Sequence, residues 1–293
     1  MDRLIEFLNQ HKTVVGDGAM GTMLQAAGLT TGGAPEEWNI ARPDVIRGIY
    51  QAYVDAGSQI ITTNTFGGNR FRLALHNGEE RVREFNLAGV RLAREVADAA
   101  PQEVLVAGDM GPTGEILFPL GTRQPEEAQA AFAEQAAALH EGGIDFFLIE
   151  TMSALEEVEA AINGIRSVSD KPVAVTMTFD TRFRTMMGVK PVQAVSALHG
   201  WGIRVMGANC GNGPDEIERI MSEMTAARPE GVYLIAQSNA GLPKWIDKKV
   251  AYDGTPEVMS QYAEKMRTLG VDYIGACCGS TPTHIAAIRS ALR

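Results

Sequence analysis

Three residues of this chain could do chemistry together: Cys210, Cys277 and Cys278, the only cysteines among 293 residues. Cys210 closes the run Gly207-Ala208-Asn209-Cys210-Gly211, and the vicinal pair lies in Gly275-Ala276-Cys277-Cys278-Gly279. Three cysteines do not make a disulfide framework in a chain of this length. Brought together, three thiolates read as a zinc site with an open fourth position. Two other readings stand beside it. One is three buried apolar thiols. The other is a redox pair at Cys277-Cys278, disfavoured by the strain of so small a disulfide ring. An open three-thiolate zinc site suits a substrate that is itself a thiol, because coordination removes the thiol proton at neutral pH. A fourth thiolate overbalances the charge of the ion, so the bound sulfur stays electron-rich and attacks carbon. Water activation suits such a metal less.

These residues need a scaffold that brings positions 210 and 277 together. Eight short β-type runs can be read: residues 13–20, 59–66, 103–111, 145–152, 172–179, 203–210, 231–239 and 271–279. Most are near-continuous apolar runs in their first halves, the pattern of parallel strands buried on both faces. Helical patterns lie between them at 44–56, 79–99, 126–140, 154–168, 192–198, 215–226, 255–269 and 282–292. Several open on proline or an acid, as in Thr255-Pro256-Glu257 and Thr281-Pro282, which a helix start prefers. This alternation predicts an α/β fold, a single (β/α)8 TIM barrel, with residues 1–293 as one domain. An open doubly wound sheet is the other arrangement, but no G-x-G-x-x-G or P-loop follows any strand. The longest connections, 67–77, 111–124 and 240–254, follow strands two, three and seven. They fall on the C-terminal face, where barrel enzymes keep their active-site loops.

The strand ends are Asp17, Asn64, Asp109, Glu150, Asp180, Asn209, Cys210, Asn239, Cys277 and Cys278. No Lys or His occurs in any predicted strand, which disfavours a Schiff-base lysine or a strand-borne histidine base. Alternate strands supply the same inward layer, so strands six and eight can bring Cys210 to one of the pair. Gly279 lets the chain bend so that both neighbouring thiols turn inward. With 26 basic and 36 acidic residues the net charge is −10. Such a surface repels phosphate backbones and anionic lipid, so neither nucleic acid nor membrane is an expected partner. No window approaches a membrane span. Met1–Phe7 carries acids where a signal peptide needs a basic start, so a cytoplasmic protein is expected.

Seven motifs now occur in order: Asp17-Gly18-Ala19-Met20-Gly21-Thr22, Thr62-Thr63-Asn64-Thr65-Phe66, Gly111-Pro112-Thr113-Gly114, Ile149-Glu150-Thr151-Met152, Gly207–Gly211, Asn239-Ala240-Gly241-Leu242-Pro243 and Gly275–Gly279. Together they resemble the homocysteine S-methyltransferase family, the homocysteine-binding barrel of cobalamin-dependent methionine synthase and betaine–homocysteine methyltransferase. The resemblance covers nearly the whole chain and is specific for the family rather than for the methyl donor. It implies zinc on Cys210, Cys277 and Cys278, with homocysteine bound through its sulfur and methylated to methionine. It implies that Glu150 holds the amino group of homocysteine and that Asp17, Gly18 and Ala19 line the same pocket. Asn209 joins them, either orienting the cysteine turn or serving the turn itself. Independently, an ammonium in a partly dry site needs a countercharge. The plain alternatives are a helix-start acid at Glu150 and a turn residue at Asp17. Ser238 stands where relatives often have Pro, and Ala34 where some have Cys. Neither touches the triad.

The donor is a separate matter. The chain is too short for added folate and cobalamin modules and shows no Asp-x-His-x-x-Gly of the cobalamin type, so a covalently attached corrinoid domain is not expected. The runs at 176–189 and 66–73 resemble bacterial betaine–homocysteine methyltransferases. Betaine offers a quaternary ammonium, which wants aromatic faces, and a carboxylate, which wants Arg or backbone donors. Phe66, Phe71 and Phe179 are the expected donor residues, with Phe118, Phe183, Arg70, Arg72, Arg182 and Arg184 on nearby loops. Each phenylalanine has loop-anchoring core as its other role. The expected reaction is zinc-dependent SN2 transfer from a small onium donor, betaine first, to homocysteine. The alternatives are a separate methyl-corrinoid protein or S-methylmethionine as donor, and, in another class, a non-catalytic zinc- or thiol-binding barrel or redox sensor.

Overall fold

Each apolar run becomes a parallel strand, in a computed structural model that describes residues 2–30, 32–246 and 249–293. The barrel strands are β1 (Val14–Val15), β2 (Ile60–Thr62), β3 (Leu105–Met110), β4 (Phe146–Met152), β5 (Val173–Met177), β6 (Val205–Cys210), β7 (Tyr233–Ser238) and β10 (Tyr273–Ala276). They follow the order β1-β10-β7-β6-β5-β4-β3-β2 around one sheet, and all seven pairings are parallel. Side chains help to close the remaining seam. The Gln59 N–H donates to Val15 O at 2.8 Å, and Gln59 Oε1 accepts from the Val15 N–H at 3.1 Å. Asp17 then accepts from the N–H and hydroxyl of Thr62 at 2.6 and 3.0 Å.

The helices that wrap the barrel are α4 (Pro43–Asp55), α6 (Val82–Ala99), α7 (Pro125–Gly142), α8 (Leu155–Arg166), α9 (Pro191–Gly200), α10 (Pro214–Ala226), α11 (Pro256–Thr268) and α12 (Pro282–Ala291). Six of the eight start on proline, whose missing N–H would be unpaired there anyway and whose φ is already helical. Odd and even strand positions divide the core. Val15, Ile61, Val106, Phe147, Val175 and Met206 pack in the large cluster with helix residues such as Val90, Phe132 and Ile162. Val14, Ile60, Leu105, Phe146, Val205 and Tyr273 fill the barrel itself.

Four short helices were not anticipated: α1 (Arg3–Gln10), α2 (Met20–Ala26), α3 (Trp38–Ala41) and α5 (Arg70–Ala74). α1 is capped by Asp2, whose side chain accepts from the Ile5 N–H. Its Leu4, Ile5, Phe7 and Leu8 join the inner cluster, so the helix plugs the N-terminal end of the barrel. The connection 240–254 holds a hairpin, β8 (Pro243–Ile246) with β9 (Lys249–Tyr252), rather than an irregular loop. Several strands are shorter than expected at their C-terminal ends. Asp17, Asn64, Cys277 and Cys278 lie past the last ladder residues, because there the backbone turns toward the site. Among the described residues no helix is long and apolar enough to cross a membrane.

Candidate active site at the barrel mouth

Period-two alternation carries the inward row of each strand upward from the apolar interior. Leu105 and Ala107 are followed by Asp109, Phe146 and Leu148 by Glu150, Val205 by Gly207 and Asn209, and Ile235 by Gln237. The inward face thus changes from aliphatic to polar within one strand length. Above it lies a cavity of about 340 Å³ whose wall includes Asp17, Asp109, Glu150, Gln237 and all three cysteines.

The cysteines meet although parity does not favour all three. Cys210 follows inward Asn209 and should face outward, but its φ is +59°. This left-handed conformation is costly without glycine and swings the thiol back. Cys277 and Cys278 sit on a turn whose next residue, Gly279, has φ +80°. A Cβ at Gly279 would stand 2.1 Å from Cγ of Tyr252. Cys210 Sγ is 2.7 Å from Cys277 Sγ and 3.8 Å from Cys278 Sγ, and the vicinal sulfurs are 4.0 Å apart. A tetrahedral metal with bonds of about 2.3 Å sets sulfurs about 3.8 Å apart, so two of the three spacings already suit one ion. The group could hold a metal. Hydrogen bonds from Cys210 and Cys277 hold the Cys278 thiol well below its ordinary range, while Cys277 is held up, by its contact with Cys210 first. The cluster therefore takes one negative charge readily and resists three. A divalent cation on all three sulfurs removes that resistance.

Asn209 ties this corner to β4. Its Oδ1 accepts from the Thr151 N–H and the Thr176 hydroxyl, both at 3.0 Å, and its Nδ2 donates to Thr151 Oγ1 at 2.7 Å. The same Nδ2 lies 4.0 Å from Cys277 Sγ. The β4–β5 register shifts between Ile149 and Met152, and Thr151 has φ +63°. The bulge turns the chain at Glu150, and Asn209 clamps it.

Three carboxyls face the cavity with little to neutralise them. Burial pushes Asp17 up to about 7, against hydrogen bonds from Thr62. Glu150 is pushed up to about 8 by burial first, then by the charges of Asp17 and Cys278. Asp109 stands well above the carboxylate range, by burial and then the charges of Glu150, Asp17 and Glu36. Asp109 Oδ1 and Gln237 Oε1 are buried with no hydrogen-bond partner among the described residues. Buried acceptors without donors are costly, and a ligand bearing N–H groups relieves that cost.

Gly18, Ala19 and Phe66 also line the cavity. The peptide groups of Ala19 are already engaged: its N–H donates to Ser280 Oγ and its carbonyl accepts from the Tyr53 hydroxyl. Other expected residues stand elsewhere. Asn209 is fully buried and does not line the cavity, so it positions neighbours rather than touching a ligand. Phe179 is fully buried in the large core cluster, the loop-anchoring role. Phe71 lies under the Arg123 guanidinium at 4.7 Å and Phe183 under Arg219 at 3.9 Å. Phe118 is exposed. The sequence offers Arg72 only as one of four loop arginines and does not single out Glu36, His76 or Gln237, though all four line the cavity. Strand parity was a usable signal for Gln237 and for Asp109. Glu36 and His76 lie on connections, where no periodicity points inward.

The geometry defines a barrel with a thiol-rich, metal-capable corner beside an acidic pocket. The homocysteine S-methyltransferase family model matches residues 14–292. The chain belongs to that family. It is 33% identical to methionine synthase of Mycobacterium tuberculosis over 304 aligned positions, covering 99% of this chain and 25% of the relative. The methionine synthase of Mycobacterium leprae matches to the same extent. The chain therefore spans about a quarter of the length of the curated relatives it matches. In fold it is similar to the homocysteine methyltransferase MmuM from Escherichia coli. The oxidized form superposes with a TM-score of 0.84 at 22% identity, over 99% of both chains. The metallated form gives 0.82 at 22% identity, over 97% of this chain and 98% of that one.

Proposed function

We propose that this barrel is a zinc-dependent homocysteine S-methyltransferase of the cytoplasm whose methyl donor is a small onium compound, glycine betaine first. The observation that carries the reading is the opening of the three-thiol corner onto the same cavity as Asp17, Asp109 and Glu150. Cys210, Cys277 and Cys278 would hold the ion, and an all-thiolate donor set suits zinc. When bound, zinc supplies a seat that deprotonates the acceptor thiol at neutral pH while leaving its sulfur nucleophilic. That MmuM is known in a metallated form supports a metal in this fold.

The rest is done by the chain. Glu150 accepts the ammonium of homocysteine, which gives this buried carboxyl the countercharge it lacks. Asp17 stands beside it with both oxygens already held by Thr62, so it adds charge at a fixed place. Gly18 and Ala19 form the adjoining wall. Asn209 holds the Glu150–Thr151 bulge in register with the cysteine turn. Sulfur and ammonium are thus fixed at two points, which orients the nucleophile for in-line attack.

A second reading keeps acceptor and zinc and changes the donor to a separate methyl-corrinoid protein. Similarity to a quarter of a methionine synthase supports it. S-methylmethionine is the other alternative donor, a small sulfonium in place of betaine. The deciding experiment measures methionine formation from homocysteine with reduced protein of confirmed zinc content, given betaine or S-methylmethionine. Turnover with either establishes a small onium donor. Silence with both, at full zinc, overturns it in favour of the corrinoid protein.

A further inference from the structure

We infer that Gln135, a buried amide on α7, is a positioning residue for Asp109 and for the start of the connection after β2, and so sets one polar wall of the homocysteine pocket. The inference rests on the acidic-pocket reading above and adds a residue that stands behind the cavity rather than in it. Gln135 does not line the cavity. It is fully buried on an otherwise apolar face of α7, with Ala131, Phe132, Ala136, Ala138 and Leu139. Its Oε1 has no hydrogen-bond partner among the described residues. An apolar side chain of similar size would avoid that cost, so stability alone does not account for the amide.

The contacts of its Nε2 do. The register of β2 with β3 ends at Thr62, opposite Ala107. The Thr63 N–H still donates to Ala107 O at 2.9 Å, and there the ladder stops. The peptide N–H and carbonyl of Asp109, two residues on, therefore lose the strand that would pair with them. Side chains take its place. The Asp109 N–H donates to Thr63 Oγ1 at 3.0 Å. The Asp109 carbonyl accepts from Thr65 Oγ1 at 2.8 Å and from Gln135 Nε2 at 3.3 Å. The same Nε2 donates to Thr65 O at 2.8 Å and to Asn86 Oδ1 at 3.2 Å. Asn86 Nδ2 in turn donates to Gly68 O at 2.8 Å.

One amide thus joins α7, α6, the connection after β2 and the end of β3. The parts it joins are those that turn toward the ligand, since Asp109, Thr63, Asn64, Phe66 and Gly67 all line the cavity. Asp109 Oδ1 is buried without a hydrogen-bond partner among the described residues, so the place of this oxygen depends on where its backbone is held. A charge-assisted contact to an ammonium is steep in distance and angle. Without the Gln135 donors, the carbonyls of Thr65 and Asp109 lose the group that draws them together, and the end of β3 is free to part from the connection. The amide is kept at a cost in stability because it fixes a carboxyl it never touches.

The test is a double-mutant cycle read as the calorimetric Kd for homocysteine. It uses zinc-loaded wild type, Gln135→Met, Asp109→Asn and the double variant, all well below their melting temperatures. Each single change is expected to weaken binding about 10-fold, the size of a lost charge-assisted contact. The double variant should be no more than about twofold weaker than Asp109→Asn, because residues that act through one another are not additive. Bound zinc should match wild type by mass spectrometry. Thr65→Val removes only the other side-chain donor to the Asp109 carbonyl. It stands in if Gln135→Met fails to fold, with an expected loss of about threefold and the same non-additivity. A Gln135→Met Kd equal to wild type, a loss that multiplies in full with that of Asp109→Asn, or an Asp109→Asn without effect overturns the assignment. Wild type that binds no homocysteine at full zinc overturns the acidic-pocket reading and this assignment with it.

Discussion

The two ends of the barrel are built from the same strands and are opposites. At the N-terminal end the inward row is Val14, Ile60, Leu105, Phe146 and Val205, closed by Leu4, Ile5, Phe7 and Leu8 of α1. At the C-terminal end the same rows reach Asp109, Glu150, Asn209 and Gln237, where Asp109 Oδ1 and Gln237 Oε1 are buried without a hydrogen-bond partner among the described residues. One end satisfies itself by packing, and the other is left in want of a cation and of N–H donors. Stability and chemistry are thus separated along one axis. The apolar end can bear the desolvation of carboxyls at the polar end, which hold no arginine or lysine partner within 4.0 Å among the described residues.

That separation can be broken from either end. The largest effect is expected from Cys210→Ala. Methyl transfer should fall about 10³-fold or more, as when a group that sets up the nucleophile is removed, and bound metal should drop by mass spectrometry. Circular dichroism and Tm should stay near wild type. Preserved turnover would end the thiol-corner mechanism. Next is Phe7→Ala at the opposite end. The side chain is almost fully buried, so denaturant melts should show a loss of about 3–5 kcal/mol. kcat/KM at 20 °C should stay within about twofold, and a large kinetic loss would show that the ends are coupled.

Glu150→Gln is expected to act on both properties. The homocysteine KM should rise about 10- to 100-fold through loss of the charged partner. The pH dependence of stability follows from the raised carboxyls. The unfolded chain releases the Glu150 and Asp17 protons near pH 4, while the fold keeps them to about 8 and about 7. The unfolded state therefore binds fewer protons across that window, and the unliganded protein should lose stability as pH rises through it. Glu150→Gln should flatten the upper part of the slope in melts between pH 5 and 9, and an unchanged slope would contradict the burial argument. The smallest effect is expected from Phe71→Leu. Its ring serves Arg123, a contact of about 0.5–1 kcal/mol at an exposed site, so betaine KM should move less than about threefold. A larger change would return Phe71 to the donor site.

Much of this was legible in the amino-acid order. Strand and helix identity follow from apolar runs and proline starts, which are local, and eight alternations of parallel strand and helix admit few closures. The convergence of Cys210 with Cys277 and Cys278 was readable because strand ends in a barrel must share one face. α1 was passed over although Leu4, Ile5, Phe7 and Leu8 keep helical spacing, because so short a segment owes its stability to the barrel end it plugs. Glu36, Arg72 and His76 were not distinguished, because connections carry no period and their direction depends on what they pack against.

The sequence by itself determined the alternation, the parity of the inward rows and the apolar-to-polar change along them, since each depends on residue type and spacing. Tertiary structure alone decided the left-handed turn that brings Cys210 inward and the gathering of Glu36, Arg72 and His76 with the strand-end carboxyls around one cavity. Those outcomes depend on which groups from distant segments come within a few ångströms of one another. Burial, close approach and Coulomb interaction act through space, and their range has no counterpart in the spacing of residues along the chain.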